Sequence, residues 1–314
     1  MKISDNYIIR DYKKGDEEGI TALFSNVFGK VMTIEQWRWK YLLTGDRVYS
    51  KVVEDSSGEI IAHAGAIPLR GVFQNKLIQF FHMADVMVHA KARGFMGRKN
   101  VYYIMMRVLL EDLKKEFPEV FCYGFSGTRP FTLGKRVGIY GRVEQAVECV
   151  NQLQKSRLNT YSIKHLNWED GRLDNLWKSL SKDFALSLIR DKTYINWRYA
   201  TNPFFLYQFL GFFLFGELKG WGVTREEGEN VFVIDLLTEK KRRRSALKAL
   251  GNYFFSHGKK AIRLWLPESW RENITDCSKK ETEVIVANMV WKLPFKTSVV
   301  RNNLFYTMGD TDIF

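Results

Sequence analysis

Residues 84–98 read ADVMVHAKARGFMGR and mark the place where an apolar stretch gives way to a basic loop that contains glycine. The apolar residues before the loop predict a strand over 80–88. After the loop, apolar residues recur at helical spacing from Val101 to Leu113, which predicts an amphipathic helix. A further apolar run predicts a strand over 120–125. The order strand, loop, helix, strand predicts a βαβ unit whose loop lies at the N-terminus of the helix.

The loop has the chemistry of a phosphate-binding site. The first N–H groups of a helix have no partner inside the helix, and the helix dipole adds partial positive charge there. Gly94 and Gly97 would let the backbone approach a ligand closely, while Arg93 and Arg98 add guanidinium groups suited to phosphate. The loop therefore predicts a cradle for a pyrophosphate. It matches neither the Walker motif nor the G-x-G-x-x-G motif, and a plain basic turn is the alternative interpretation.

Two motifs occur twice in the same order along the chain. Residues 37–41, WRWKY, are echoed by residues 196–199, NWRY, and the apolar run around Asp85 is echoed by the run around Asp235. The offset is 158 residues for the tryptophan motif and 150 residues for the aspartate. We interpret the tryptophan motifs as core aromatics whose arginine bridges to a carboxylate. The repeat predicts two copies of one βα-type domain.

Composition places the chain among folded globular proteins. It has 314 residues, of which 46% are apolar and 26% charged, and this excludes a disordered or fibrous chain. The three scattered cysteines are too few for a disulfide framework or a zinc site, and the first residues contain no apolar signal segment. We therefore expect a cytoplasmic protein without a metal site.

The most apolar stretch, residues 204–216, reads FFLYQFLGFFLFG. It is shorter than the roughly 20 residues that a membrane-spanning helix needs. We predict that it forms core strand, with the wall of an acyl-chain pocket as the alternative.

Positive charge is concentrated in two places. Lys and Arg number 48 against 35 Asp and Glu, which gives a net charge of +13. One basic cluster lies between Lys91 and Arg107, and residues 240–244 are five consecutive basic residues. Such an excess suits partners that carry phosphate, whether a nucleotide-like cofactor or a nucleic acid. For the 240–244 run, a solvated surface is an equally good interpretation.

The segment from Val86 to Gly97 resembles the acetyl-coenzyme A signature of the GNAT acyltransferase superfamily, commonly V-x-V-x-P-x-x-R-G-x-G-x-G. It differs from that signature at Ala90, where proline is frequent, at Met96, where glycine is usual, and at Arg98, where a small residue is usual. The helix start at Asp16 and the two tryptophan motifs also resemble a bacterial GNAT subgroup with two tandem copies.

This resemblance implies an α+β fold with two tandem GNAT-like domains, each a mixed central β-sheet flanked by helices. Residues 1–155 would form the acetyl-CoA-binding domain and residues 156–314 a degenerate copy, because the 240–245 stretch has no glycine. The degenerate copy would wall the acceptor cleft. The residues implied to bind the cofactor are Val86, Met87 and Val88 for the pantetheine arm, and Arg93, Gly94, Phe95, Met96, Gly97 and Arg98 for the pyrophosphate.

The implied reaction moves an acetyl or other acyl group from coenzyme A to an amino group of a small molecule, peptide or protein. Such a transfer needs a base for the amine and an acid for the thiolate, but no metal. Asp85 is the candidate base, although a structural role is the competing interpretation because Asp235 occupies the same place in the second copy. Tyr140 is the candidate acid. His82 and His89 flank Asp85, and we interpret them as hydrogen-bonded histidines near a strand end.

Two other functions remain open at this point. Aminoacyl-tRNA-dependent transferases also use paired GNAT-like domains, and a charge of +13 suits tRNA, but they need no coenzyme A cradle. The third reading is a non-enzymatic module that binds nucleic acid through residues 240–244.

Overall fold

The computed structural model describes residues 2–4, 7–42, 47–93, 100–155, 159–271, 274 and 277–312. The strands, in chain order, are β1 (Lys2–Ser4), β2 (Tyr7–Asp11), β3 (Tyr49–Asp55), β4 (Ile60–Phe73), β5 (Lys76–Val88), β6 (Phe121–Gly127), β7 (Tyr140–Gln152), β8 (Ser162–His165), β9 (Leu186–Leu188), β10 (Gln208–Leu214), β11 (Glu217–Glu227), β12 (Asn230–Leu237), β13 (Ala261–Trp265) and β14 (Ser278–Met289). The α-helices are α1 (Glu17–Phe28), α2 (Ile34–Tyr41), α3 (Val101–Glu116), α4 (Thr128–Arg136), α5 (Leu173–Leu180), α6 (Lys192–Ile195), α7 (Arg243–Ser256), α8 (Glu268–Arg271) and α9 (Thr297–Asn303).

The chain divides into two compact units. Unit 1 comprises Met1–Arg70, Ile78–Val143 and Val284–Val300, and unit 2 comprises Gly71–Leu77, Glu144–Glu283 and Arg301–Phe314. Unit 1 therefore includes a segment that follows residue 155, Val284–Val300, and unit 2 includes segments that begin before it, Gly71–Leu77 and the start of Glu144–Glu283. The boundary at 155/156 stays a prediction about domains.

In unit 1 the strand order is β1-β2-β3-β4-β5-β6-β14-β7. β5 and β6 run parallel, whereas β2–β3, β3–β4 and β6–β14 are antiparallel. Helix α3 covers one face of this sheet, where its apolar stripe packs with Phe81 and Cys122 in a single buried cluster. The stripe includes Met105, Leu109 and Leu113, each at most 2% exposed.

Unit 2 has the strand order β14-β7-β13-β12-β11-β10-β8, and β9 pairs with the last three residues of β4. β12 and β13 run parallel, as β5 and β6 do in unit 1, and β13–β7 and β11–β12 are antiparallel. Each unit is thus a mixed sheet flanked by helices, and the predicted α+β fold class is confirmed.

Local sequence signals account for many element ends. Thr33 accepts a hydrogen bond from the backbone N–H of Gln36, whose side chain accepts from the Thr33 N–H, so α2 begins with a capping box. Asn100 caps α3 by accepting from the backbone N–H of Tyr103 at 3.3 Å. Within residues 204–216, the core strand β10 begins at Gln208, whereas Leu206 is 93% exposed.

Candidate functional site

The parallel strands β5 and β6 separate in the middle of the unit 1 sheet. They pair over three residues, from Phe80–Phe121 to His82–Tyr123. The structure describes both strands completely, and beyond that pair β5 continues to Val88 and β6 to Gly127 without pairing with each other. Neighbouring strands of a sheet are normally joined by ladder hydrogen bonds. Beyond His82 and Tyr123 these bonds no longer join β5 and β6, and we call the space between the two strand backbones the cleft.

A glycine lies beside the last paired residues. A Cβ added at Gly124 would lie 3.2 Å from the carbonyl oxygen of Met83, which is a tight contact. The absence of a side chain at this position therefore allows β6 to pass close to β5 directly after the last pair.

Strand β5 contains an extra residue at the cleft. Met83, Val86 and Val88 all pack on the side of the sheet that α3 covers, although strict alternation would put Met83 and Val86 on opposite sides. Asp85 lies between them with φ +49°, in the left-handed region. This bulge at Ala84–Asp85 turns the Asp85 side chain away from the α3 face.

The Asp85 carboxylate is buried and fully engaged by α2. Lys40 Nζ donates to its two oxygens at 2.8 and 3.0 Å, and the Tyr41 hydroxyl donates at 2.7 Å. The side chains of Lys40 and Asp85 are only 5% and 3% exposed. The carboxylate thus serves as the counter-ion of a buried ammonium.

His63 holds the backbone of the same bulge. Its Nδ1 lies 2.8 Å from the Asp85 carbonyl oxygen, a distance at which the ring donates a hydrogen bond. Burial lowers the pKa of His63, so the ring is neutral near pH 7. Side chain and main chain of Asp85 are therefore fixed by different elements, α2 and β4.

The residues predicted to contact pantetheine line the end of β5. Val86 and Val88 are partly buried against the α3 cluster, and Met87 is 1% exposed. Arg93 is exposed, and its Nε donates to the Val88 carbonyl oxygen at 2.8 Å. Gly94, Phe95, Met96, Gly97 and Arg98, predicted to bind the pyrophosphate, lie outside the described residues.

The basic residues Lys91 and Arg93 beside the loop have different partners in the structure. Lys91 Nζ binds the carboxylates of Asp55 at 2.8 Å and Glu59 at 2.6 Å. The side-chain hydrogen bond from Lys91 lowers the pKa of Asp55. Lys91 is thus neutralised by residues distant in sequence, whereas Arg93 stays at the mouth of the loop.

Tyr140 lies in the core of unit 1 and is 8% exposed. Its ring contacts Tyr102 and Phe131 at centroid distances of 6.2 Å, and burial raises its pKa. A Cβ at Gly134 would lie 2.3 Å from this ring. The structure thus groups Tyr140 with α3 and α4, and its role as an acid stays a prediction.

Unit 2 repeats the arrangement around Asp85. The register of β12 shifts at Ile234, next to Asp235. The Tyr199 hydroxyl donates to Asp235 at 2.7 Å, and the cation on this carboxylate is Arg190, whose Nε lies at 3.0 Å. The repeat seen in the sequence is therefore a bulged strand whose aspartate accepts from a tyrosine. In unit 1 Lys40 is the cation on the carboxylate, and the interpretation of the motif arginines as bridges to a carboxylate stays a prediction.

The equivalent of Lys40 in unit 2 has another role. Arg198 donates to the carbonyl oxygens of Gly309, at 2.8 Å, and Thr311. Asp310 in the same segment binds Arg190, and burial raises the pKa of Asp310 to about 6. The segment 308–311 is therefore held against the Asp235 network by buried polar contacts.

The basic run at 240–244 is partly used within unit 2. Lys241 and Arg242 pair with Glu239 at 3.4 and 3.3 Å. Arg243 is 1% exposed and lies over the ring of Trp270 at 4.9 Å. Arg243 thus belongs to the packing of α7, whereas Lys240, Lys241 and Arg244 are exposed.

In the described part of the chain, no group of three or more His, Cys, Asp or Glu side chains is placed to hold a metal ion. No helix of that part is long and apolar enough to cross a membrane.

Residues 8–143 match the family model described as an acetyltransferase (GNAT) domain. The chain carries a GNAT domain. This GNAT domain contains β5, β6, α3 and the bulge at Asp85, so the cleft lies inside the family match. The resemblance to the GNAT superfamily is thereby confirmed.

Solved structures share the fold at low sequence identity. A protein of unknown function from Enterococcus faecalis V583, described as a "Probable N-Acyltransferase", has a TM-score of 0.69 and 14% identity, covering 91% of this chain and 73% of its own. A GCN5-related N-acetyltransferase from Kribbella flavida has a TM-score of 0.66 and 13% identity, covering 91% and 71%. Saccharomyces cerevisiae N-myristoyltransferase with bound myristoyl-CoA has a TM-score of 0.61 and 9% identity, covering 92% and 83%. No curated protein matches the sequence.

Proposed function

We propose that unit 1 transfers an acetyl or other acyl group from coenzyme A to an amino group of an acceptor. The observation that carries this proposal is the separation of β5 from β6 beyond His82 and Tyr123, next to the predicted phosphate loop and the start of α3. A narrow arm such as pantetheine can accept and donate hydrogen bonds along such an exposed strand backbone. The GNAT family match over the same residues supports it.

The chain's own residues divide the binding of the donor between them. The backbone of Val86 to Val88 would hold the pantetheine arm, and the loop from Arg93 to Arg98 would hold the pyrophosphate at the N-terminus of α3. Coenzyme A supplies the activated acyl group as a thioester. Arg93 Nε already binds the Val88 carbonyl oxygen, so one side chain links the two binding segments.

Asp85 serves this site best as an anchor. Its two carboxylate oxygens accept from Lys40 and Tyr41, and its carbonyl oxygen accepts from His63. The carboxylate and the carbonyl oxygen of Asp85 are thus both occupied by groups of the fold. We infer that Asp85 maintains the bulge that directs β5 away from β6.

Two alternatives remain less well supported. Either a tRNA-dependent transferase or a nucleic-acid-binding module would need exposed positive charge in the 240–244 run. Arg243 is buried there, and Lys241 and Arg242 pair with Glu239, but Lys240, Lys241 and Arg244 are exposed. Acyl transfer is preferred because of the GNAT family match over residues 8–143. Steep loss of RNA retention with salt, abolished by neutralising residues 240–244, would favour these functions over acyl transfer.

Binding of the donor can be measured without knowing the acceptor. Acetyl-CoA at about 100 times its Kd would stabilise the protein by about 2.7 kcal/mol, which corresponds to a Tm increase of roughly 5–10 °C for a unit of this size. Arg93→Glu should remove the increase. Lys248→Glu makes the same charge change at an exposed position of unit 2 and should retain it. An unchanged Tm at millimolar acetyl-CoA would exclude the proposed function.

A further inference from the structure

His82 occupies the last residue pair before β5 and β6 separate. Its partner in the parallel ladder is Tyr123, and the two rings are stacked with centroids 5.4 Å apart at 25°. The ring of Phe125 meets the imidazole edge to face at 5.8 Å. Two aromatic rings from β6 thus fix the orientation of the His82 side chain at the apex of the cleft.

The imidazole lies on the face of the sheet opposite to α3. Phe81 and Met83, its neighbours along β5, belong to the cluster that α3 covers, so alternation directs His82 to the other side. Gly65 and Asp85 on that side meet Tyr41 of α2. Helix α3 and the imidazole therefore lie on opposite faces of the sheet.

Few other side chains of the two strands that line the cleft can exchange a proton. The other titratable side chains of β5 from Phe80 onward and of β6 are Asp85, Cys122 and Tyr123. Asp85 is paired with Lys40. Cys122 is 1% exposed within the α3 cluster, and burial raises its pKa. Tyr123 carries a phenol, whose pKa ordinarily lies near 10, so the imidazole is the group suited to act as a base near neutral pH.

We propose that His82 is the general base of the acyl transfer, an assignment that rests on the proposed function. The amine nitrogen forms a bond to the acyl carbon, the bond between that carbon and sulfur breaks, and His82 takes the proton that the nitrogen loses. The imidazolium then gives this proton to the departing thiolate, so atoms and charges balance within one turnover. This route needs no separate proton donor at Tyr140.

Bromoacetyl-CoA tests the position of His82 without an acceptor. The bromine is carried by the methylene carbon next to the acyl carbon. An imidazole nitrogen close to this carbon displaces bromide and forms a stable carbon–nitrogen bond. Peptide mass spectrometry should find this adduct on His82, and an excess of acetyl-CoA should suppress it. His89, the residue that follows β5, serves as the internal control and should stay unmodified. His82→Gln should abolish the adduct while acetyl-CoA still raises Tm.

The outcomes separate this assignment from the proposed function. If acetyl-CoA raises Tm but the adduct forms on another residue, or does not form, His82 is not the base and donor binding stands. If acetyl-CoA does not raise Tm, the proposed function fails and the assignment fails with it. Labelling of the wild-type protein suffices for both conclusions should H82Q not fold.

Discussion

At Asp85 a carboxylate, an ammonium and a phenol hydroxyl are buried together. Lys40 and Tyr41 reach this site from 45 and 44 residues away in the sequence. Burying a charge pair costs desolvation energy, which the attraction between the partners offsets only while both are present. Loss of either partner should therefore lower the stability of the protein.

Asp85→Asn should lower the free energy of unfolding by about 3–5 kcal/mol, because Lys40 is left as a buried charge without a counter-ion. Urea denaturation of the variant and the wild type measures the change. Lys91→Gln removes an exposed cation from Asp55 and Glu59 and should change the free energy of unfolding little, because exposed ion pairs contribute little to stability. Equal effects of the two substitutions would contradict the buried anchor.

The sequence could identify Asp85 as important but could not distinguish an anchor from a base. Its repetition at Asp235 indicated a structural role, and the structure shows the same tyrosine contact in both units. Which cation reaches the carboxylate depends on three-dimensional approach, since Lys40 does so in unit 1 and Arg190 in unit 2. No spacing rule predicts that difference.

Helix α2 packs against β4 at a glycine. A Cβ at Gly65 would lie 2.3 Å from the Tyr41 hydroxyl oxygen, and a Cβ at Gly309 in unit 2 would lie 2.0 Å from that of Tyr199. In both units, therefore, the tyrosine that binds the aspartate needs a residue without a side chain beside its hydroxyl group. The position of α2 determines where Tyr41 can reach Asp85.

Gly65→Ala should displace Tyr41 from Asp85 and lower the free energy of unfolding by about 1–3 kcal/mol, the usual cost of overpacking a core. Gly171→Ala is the matched control, since nothing lies within 4 Å of a Cβ there. It should change the unfolding midpoint little. Both variants can be compared by thermal denaturation, and a wild-type Tm for G65A would show that α2 moves freely.

Elements with local signals were predictable, and those set by long-range pairing were not. The spacing of Thr33 and Gln36 suffices to start α2, and the stripe from Val101 to Leu113 predicts α3. The bulge at Asp85 and the place where β5 leaves β6 depend on strands that meet only in the folded sheet. Local sequence signals therefore could not predict the cleft.

In each unit, one strand of the sheet comes from the far side of the predicted 155/156 boundary. β6 in unit 1 pairs with residues 284–288 of β14, and β13 in unit 2 pairs with residues 148–152 of β7. A break at the predicted boundary would remove both partners. The sequence repeat reveals that there are two copies but cannot show this exchange.

The fragments 1–155 and 156–314 should each fail to fold cooperatively, because β6 and β13 would each lose an antiparallel neighbour. Far-UV circular dichroism during thermal denaturation measures this. As a control, fragment 1–155 joined through a glycine–serine linker to residues 278–300 should regain a cooperative transition. A sharp transition of 1–155 alone would contradict the expectation.

Because β14 lies far from β6 in the sequence, the two strands become available for pairing at different times during synthesis. On the ribosome, β6 emerges about 160 residues before its partner Val284–Asn288, which at 5–20 residues per second is roughly 8–30 s. During that interval the nascent chain carries the apolar strand FCYGFSG with one edge open. An open strand edge of this kind can pair with another newly made chain until β14 covers it.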